Sequence, residues 1–359
     1  VDDELTPSGP LAPLAPAPTL DALGRPLRDL RISVTDRCNF RCTYCMPREV
    51  YGRDFRFLPR AELLTFEEIT RLCGLLVGQG VSKLRLTGGE PLLRADLPRL
   101  VAMLRALPGA AELTLTTNGS LLTRHAAALA EAGLGRLTVS LDALDEPTFR
   151  LLSDADFSVD RVLEGIAAAE AAGLAPINVN MVVRRRVNEH AILPMARHFR
   201  AAGHVLRFIE YMDVGHTNAW RMDDVVPATE ILARIDSELP LEPVPPRYRG
   251  EVATRWRYRN GGGEVGIIAS VSQPFCGDCT RLRLTADGEL YTCLFGNQGH
   301  DLRGPLRAGA SDGELLEIVR AIWSARTDRY SELRTKATRG RPSLPMVDPQ
   351  RVEMSRVGG

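Results

Sequence analysis

Three cysteines stand at Cys38, Cys42 and Cys45 as a C-x3-C-x2-C run, and three more at Cys276, Cys279 and Cys293 as C-x2-C-x13-C. Thiolates this close in sequence can hold one metal centre per triplet. Three is one too few to saturate a four-iron cluster, so each triplet would leave one iron open for chemistry. A disulfide framework belongs to short secreted chains, and residues 1–20 show no basic segment ahead of an apolar run, so no signal peptide is expected. Structural zinc wants four N or S donors. The histidines (His125, His190, His198, His204, His216, His300) are scattered and form no H-E-x-x-H. The first triplet therefore reads as an iron–sulfur site. The second is evenly balanced against zinc on its own, and the presence of the first tips it the same way. Cys73, among Leu72, Leu75 and Leu76, reads as an inert core thiol.

Arginines supply the second signal. Arg31 and Arg85 each lie inside an apolar strand, in phase with Ser33 and Thr35 and with Thr87, so each is expected to face the interior. A buried guanidinium is costly unless it meets an anion. A carboxylate partner would serve one of them; a bound phosphate accounts for both, since the guanidinium fork suits phosphate oxygens. Arg281 and Arg283, two apart beside the second triplet, would join the same pocket. Arg184-Arg185-Arg186 reads as a solvated strand end. Gly261, Gly263 and Gly266 match G-x-G-x-x-G, but no helix follows, so the stretch reads as a hairpin turn rather than a phosphate cradle.

The chain that must position these groups has 359 residues, 44% apolar and 25% charged, ordinary for a soluble globular protein. Its formal net charge of zero gives no bulk field for nucleic acid or an anionic membrane. No apolar run reaches the roughly 18 residues of a membrane span. Reduced cysteines point to the cytoplasm. Residues 1–27 read as a flexible leader. Strands near 30–35, 83–87, 112–116, 136–141, 177–183 and 205–211 then alternate with helical stretches, the first opened by a capping box at Thr65 and Glu68. Six βα units imply an α/β fold, a partial (β/α)6 TIM-like barrel over 28–240, short of the eight that close a full one. Pro240 to Pro246 marks a boundary. Residues 241–330 read as a smaller C-terminal α+β region carrying the second triplet and covering the barrel mouth, and 331–359 as a tail ending Gly358-Gly359. Catalytic groups of such barrels gather at the C-terminal strand ends. There lie Thr87-Gly88-Gly89-Glu90-Pro91, Thr116-Thr117-Asn118-Gly119, Ser140-Leu141-Asp142 and Glu210-Tyr211-Met212, on the rim that carries the first triplet.

The first triplet, with Tyr44 just before its last cysteine, is identified as the signature of the radical S-adenosylmethionine (SAM) superfamily. Together with LRISVTDRCNFRCTYCMP, the segments LRLTGGEPLLR, TTNG, VSLD, RFIEYM and PFCGDCTRLRLTADGELYTCLF resemble the GTP 3′,8-cyclase family, which begins molybdenum cofactor synthesis. The resemblance implies a lyase converting GTP to (8S)-3′,8-cyclo-7,8-dihydroguanosine 5′-triphosphate. A 5′-deoxyadenosyl radical made from SAM would take hydrogen from ribose C3′, and the carbon radical would attack guanine C8. It implies two 4Fe–4S clusters, on Cys38, Cys42 and Cys45 and on Cys276, Cys279 and Cys293. It implies SAM contacts at Tyr44, Gly89, Ser140 and Met212, and GTP contacts at Arg31, Arg85, Thr116, Arg281, Leu282 and Arg283, with Gly358 and Gly359 reaching toward the site. An electron donor and, functionally, a downstream cyclic pyranopterin monophosphate synthase are the implied partners; a homodimer stays open. The family usually shows a lysine where this chain has Asn178, which cannot neutralise a phosphate. The rival readings are another two-cluster radical SAM enzyme acting on peptides and a zinc-bound binding protein.

Overall fold

The computed structural model describes residues 18–338 and 351–358. Six strands run in sequence order and in parallel: β1 (Asp29–Ser33), β2 (Lys83–Thr87), β3 (Glu112–Thr117), β4 (Arg136–Ser140), β5 (Asn178–Val183) and β6 (Val205–Glu210). Helices α1 (Phe66–Val77), α2 (Leu97–Arg105), α3 (Leu122–Glu131), α4 (Glu146–Ser153), α5 (Val159–Ala171) and α6 (Ile192–Ala201) join them, and α7 (Ala228–Asp236) follows β6. The partial (β/α)6 barrel read from the sequence is the architecture found.

The pattern of β2 shows why the strands read both apolar and cationic. All five of its residues are buried. Leu84 and Leu86 lie in the main apolar core, whereas Lys83 and Arg85 line an internal cavity. Each such leucine contributes about 2 kcal/mol by leaving water. Helix α1 starts as expected: Thr65 Oγ1 accepts from Glu68 N (3.1 Å) and Glu68 Oε2 accepts from Thr65 N (2.7 Å).

Six further strands complete one sheet: β7 (Leu241–Val244), β8 (Thr254–Tyr258), β9 (Glu264–Ile268), β10 (Arg281–Leu284), β11 (Glu289–Tyr291) and β12 (His300–Asp301). The order is β12-β11-β10-β1-β2-β3-β4-β5-β6-β9-β8-β7. Here β9 adds to β6 in parallel and β10 adds to β1 in parallel. Beyond them the sheet turns antiparallel, so it stays open. Helices α8 (Arg303–Arg307), α9 (Asp312–Ser324), α10 (Tyr330–Thr338) and α11 (Met354–Val357) follow.

The Pro240–Pro246 stretch holds β7, an edge strand paired with β8, where proline is tolerated. Three expectations are corrected. The C-terminal region does not sit over the mouth beside the first triplet. Arg281 pairs with Asp29, so Cys279 lies at the N-terminal end of the barrel, and Cys293, just beyond antiparallel β11, lies there too. Of the leader, residues 18–27 pack against the fold: Leu27, Arg25 and Asp21 are buried, and Leu20 bridges Pro26. Arg184 and Arg185 are not simply solvated, since they pair with Asp224 (3.2 Å) and Glu230 (2.6 Å). The glycine-rich stretch 261–266 does turn a hairpin, between β8 and β9.

Candidate active site

The first triplet occupies the loop after β1. Its position is fixed by the loop after β2, which lies alongside: Gly89 N donates to Thr35 O (2.9 Å) and Glu90 N to Arg37 O (2.8 Å). A Cβ at Gly88 would stand 2.4 Å from Thr35 O, and one at Gly89 2.3 Å from Arg37 O, so only glycines permit this approach. Buried Glu90 then ties in β3, accepting from Thr117 Oγ1 (2.7 Å), Leu92 N (3.0 Å) and Asn118 N (2.7 Å). Burial pushes its carboxyl up to about 7 despite those donors. Asn118 Nδ2 reaches Asn39 Oδ1 (2.9 Å) and the Cys38 sulfur (3.9 Å).

Tyr44 donates to Asp142 Oδ2 (2.6 Å) beyond β4, and Asp142 Oδ1 accepts from Val182 N (2.8 Å). Met212 and Tyr44 pack against the same small apolar cluster around Tyr211 and Trp220. Gly89, Ser140 and Met212 thus stand on one rim with the triplet. Glu210, by contrast, is a structural tie, fully buried and accepting from Ala228 N (2.7 Å), Val271 N (2.7 Å) and Ser272 N (2.8 Å).

All seven cysteines are unpaired. Burial raises the Cys42 thiol, and Cys38 and Cys45 raise it further, so the three sulfurs share one environment. Burial, then Glu90, pushes Cys38 up to about 11. Thiolates so placed are disfavoured without a cationic centre to neutralise them, which is the donor chemistry of an iron–sulfur site. Among the described residues no three His, Cys, Asp or Glu side chains close on a single metal-ion position.

The second triplet is scaffolded from both chain ends. Arg25 donates to Cys276 O (2.8 Å), and Arg326 to Cys279 O (2.8 Å) and Sγ (3.2 Å); buried Asp21 pairs with both arginines. Arg281 Nη2 also donates to Cys279 Sγ (3.2 Å). Burial alone would raise that thiol, but Arg281 and Arg326 outweigh it and hold it at about 6, as a thiolate ligand requires. Cys293 is pushed up to about 12, by burial and then Asp328.

A cavity runs inward from this triplet. Arg31, Lys83, Arg85, Arg136, Arg207, Arg247, Arg281, Arg283 and Arg326 line it, against only Asp29, Glu251 and Asp328. Arg31 pairs in register with Arg85 on one side and Arg283 on the other. Burial and then Arg85 lower Lys83 to about 7; burial, Arg85 and Arg136 lower Arg207 to about 9. Arg85 Nη1 donates to Thr116 Oγ1 (3.0 Å), while Arg85 Nε, Arg31 Nε and Asn178 Nδ2 are buried without a hydrogen-bond partner among the described residues. Leu282 turns the other way, into the core. Asn178 lines a smaller adjoining cavity with Arg207.

The segment 351–358 enters at the opposite end. Gly358 O accepts from Arg283 Nη1 (2.5 Å) and Arg31 Nη1 (3.2 Å), and Arg356 O from Ser33 Oγ (2.9 Å). Gly359 lies outside the described residues, as do residues 1–17 of the expected leader. The reading of the sequence missed Lys83, Arg136, Arg207 and Tyr248 as cavity residues, although Lys83 shares the phase of Arg85 and could have been found that way. Asp21, Arg25 and Arg326 carried no local signal, since they meet the second triplet only through the fold.

Comparison with known proteins agrees with this geometry. Residues 32–199 match the Radical SAM superfamily and residues 204–332 match Molybdenum Cofactor Synthesis C. The chain is 58% identical to the GTP 3′,8-cyclase of Acidothermus cellulolyticus, over 95% of this chain and 99% of that one. It is 51% identical to the GTP 3′,8-cyclase of Xanthomonas campestris pv. campestris, over 94% and 98%. Streptococcus suis SuiB, solved bound to precursor peptide SuiA, shares the fold alone, with a TM-score of 0.56 at 14% identity over 88% of this chain and 67% of that one. Identity at this level across nearly the whole length settles the family: the chain belongs to the GTP 3′,8-cyclases, radical SAM enzymes of molybdenum cofactor synthesis.

Proposed function

We propose that the two ends of the barrel divide the work of GTP cyclisation between them. Cys38, Cys42 and Cys45 would hold the cluster that binds SAM, with Tyr44, Gly89, Ser140 and Met212 around it. Cys276, Cys279 and Cys293 would hold the second, against which the guanine end of GTP lies. When bound, the first cluster and SAM supply the 5′-deoxyadenosyl radical that the family uses.

The chain's own residues bind, orient and exclude water. Arg31, Arg85, Arg281 and Arg283 are assigned to the nucleotide, joined by Lys83 and Arg207. Thr116 holds the Arg85 fork, and Leu282 acts only by fixing its neighbours in register. The carbonyl of Gly358 aims Arg31 and Arg283, and so sets the position of the ribose between the two ends. The observation that carries this reading is the charge of the cavity. Four of its cations, Arg31, Arg85, Arg207 and Arg283, form no ion pair among the described residues, while Arg281 faces the Cys279 sulfur. A triphosphate is the anion such a pocket lacks, and a peptide offers no equivalent.

Two finer points belong to the same reading. Seven cysteines left unpaired favour a reducing cytoplasm, and no helix among the described residues is long and apolar enough to cross a membrane. An outside electron donor and a downstream cyclic pyranopterin monophosphate synthase complete the scheme. The test is anaerobic incubation of reduced, iron-loaded protein with SAM and GTP. It should yield 5′-deoxyadenosine and the cyclised nucleotide from a brown protein. A colourless zinc protein that leaves SAM intact would overturn the assignment.

A further inference from the structure

Reductive cleavage of SAM consumes an electron that no side chain of this protein can supply, so the first triplet must be reached by a reductant from outside. One surface beside it carries exposed arginines around exposed apolar side chains. Residues 36–62 carry six arginines against four acids, in a chain whose charges balance overall at 45 each. Arg48 is paired with Asp154, and Arg41 is spent on backbone carbonyls. Arg37, Arg53, Arg56 and Arg60 are exposed, and none has an ion-pair partner among the described residues. Val50 and Phe55, two of the few exposed large hydrophobic residues, lie among them at 44% and 38% exposure.

The surface is ordered and fastened to the triplet. Arg41 donates to Cys38 O (2.7 Å) and Tyr51 O (2.7 Å) at once, joining the cysteine loop to the segment beyond it. Rings continue outward from there: Tyr51 to Phe55 at 4.5 Å, and Phe55 to Phe57 at 4.8 Å. Arg37 and Arg41 stand over Phe57 at 5.5 and 5.7 Å. At the far end Leu58 N donates to Asp36 Oδ2 (2.6 Å), and Arg307 holds the carbonyls of Ala61 and Leu63. Helix α4 closes the other side, its Ser153 and Leu152 carbonyls accepting from Arg41 N (2.9 Å) and Thr43 N (3.0 Å), with Leu151 exposed beside them.

We propose that this face, residues 48–60 with Arg37, is the docking surface for a small acidic one-electron carrier protein. Unpaired arginines around exposed aromatic residues are the complement of an acidic rim around a redox centre, and they steer such a partner onto the wall of the first triplet. At each encounter one electron passes to the centre held by Cys38, Cys42 and Cys45. The carrier is oxidised by one electron, that centre is reduced by one, and no bond of the chain is made or broken. The inference rests on the assignment of the first triplet given above.

The probe is an acidic flavodoxin-type flavoprotein, titrated calorimetrically into the iron-loaded enzyme at low and at high salt. Binding should weaken with salt, and the double variant Arg53→Glu/Arg56→Glu should raise Kd about tenfold at low salt. Arg124→Glu, an exposed change on α3, should leave it alone. Turnover driven by the reduced flavoprotein should fall in parallel, while turnover driven by dithionite stays within about twofold of the parent. Unchanged affinity in the double variant would overturn the proposal. So would a shift from dimer to monomer in sedimentation with carrier binding intact, which would give the face to a second copy of the chain. Parent enzyme that binds the flavoprotein but cleaves no SAM even with dithionite would instead refute the triplet assignment, leaving the docking result to stand on its own affinities.

Discussion

Arg31 on β1 and Arg85 on β2 occupy the same register position on adjacent parallel strands, both facing the cavity, and neither forms an ion pair among the described residues. Arg283 extends the row on the other side of Arg31. Burial lowers the affinity of Arg31 for its proton, and Arg283 and Arg85 lower it further. Three like charges at one height of a barrel wall oppose folding until an anion arrives. The site is therefore frustrated in the free protein and relieved by substrate.

The first consequence is a separation of stability from binding. Arg85→Met keeps the length of the side chain and removes one of the three charges. The melting temperature of the free protein should not fall, because the loss of two hydroxyl contacts, to Thr116 and Thr138, is offset by relief of repulsion. GTP affinity should drop about tenfold to a hundredfold, the worth of a charge-assisted hydrogen bond. Thermal scans with and without GTP check both at once: GTP should raise the melting temperature of the parent and scarcely move that of the variant. A variant that melts lower without ligand would show that Arg85 is a structural residue.

Proton linkage gives a second test, at Lys83. Burial and then Arg85 bring its ammonium from 10.5 down to about 7, with Arg136 and Arg207 adding to this and Asp29 opposing it. Glu112 lies 3.3 Å away and Tyr248 Oη 3.4 Å away. Between about pH 7 and 10.5 the unfolded chain binds a proton here that the folded one lacks. This group's contribution to stability is therefore complete above that window and lost as pH falls through 7. A triphosphate reverses the balance by favouring the ammonium. GTP binding at pH 8 should take up protons, seen as a dependence of the calorimetric heat on buffer ionisation, and affinity should weaken as pH rises above 7. Lys83→Met should abolish the uptake; if the uptake persists in that variant, another group titrates.

Most of this site was legible in the sequence where chemistry is written locally. The triplets, the strand-phase arginines Arg31 and Arg85, and the polar strand ends all depend on spacing within a few residues, and spacing of period two survives folding unchanged. What could not be read depends on register between distant strands. The parallel pairing of β10 with β1 puts the second triplet at the far end of the barrel, and no local pattern specifies it. The same holds for Asp21 and Arg25, which sit in a Pro/Ala-rich stretch that reads as a leader and become buried only because Arg326 and the Cys276 carbonyl meet them there. Lys83, two residues before Arg85 on the same strand, shares its phase and so is legible by the same spacing argument.

Asn178 is the third test. It is buried at 4% exposure, its Nδ2 has no hydrogen-bond partner among the described residues, and it lines a pocket with Arg207. Asn178→Lys would add a cation to a row already short of anions, so the free protein should melt lower. Turnover should stay intact and the KM for GTP should not rise, because the added ammonium can meet the triphosphate that Arg207 is assigned to hold. Steady-state kinetics decide the matter, and a clear rise in KM would show that the asparagine is there for a contact a lysine cannot make.

The last test concerns how the C-terminal segment is seated. Gly358 has φ of +67°, and a Cβ there would stand 2.1 Å from Thr87 Cγ2, at the end of the strand that leads into Gly88-Gly89. Two penalties would follow from Gly358→Ala: the left-handed backbone, about 1 kcal/mol, and the clash. Removing the offending methyl with Thr87→Ser leaves Thr87 Cβ and Oγ1 at 3.3 Å, tight but tolerable. The carbonyl that accepts from Arg31 and Arg283 should therefore be displaced in the single variant and largely restored in the double. In a double-mutant cycle on GTP cyclisation, Gly358→Ala alone should lose at least tenfold in kcat, Thr87→Ser alone little, and the pair should recover much of the loss, a coupling of about 1 kcal/mol or more. If the pair is as slow as Gly358→Ala alone, the clash is not what matters, and the segment acts through its backbone conformation rather than through its fit against β2.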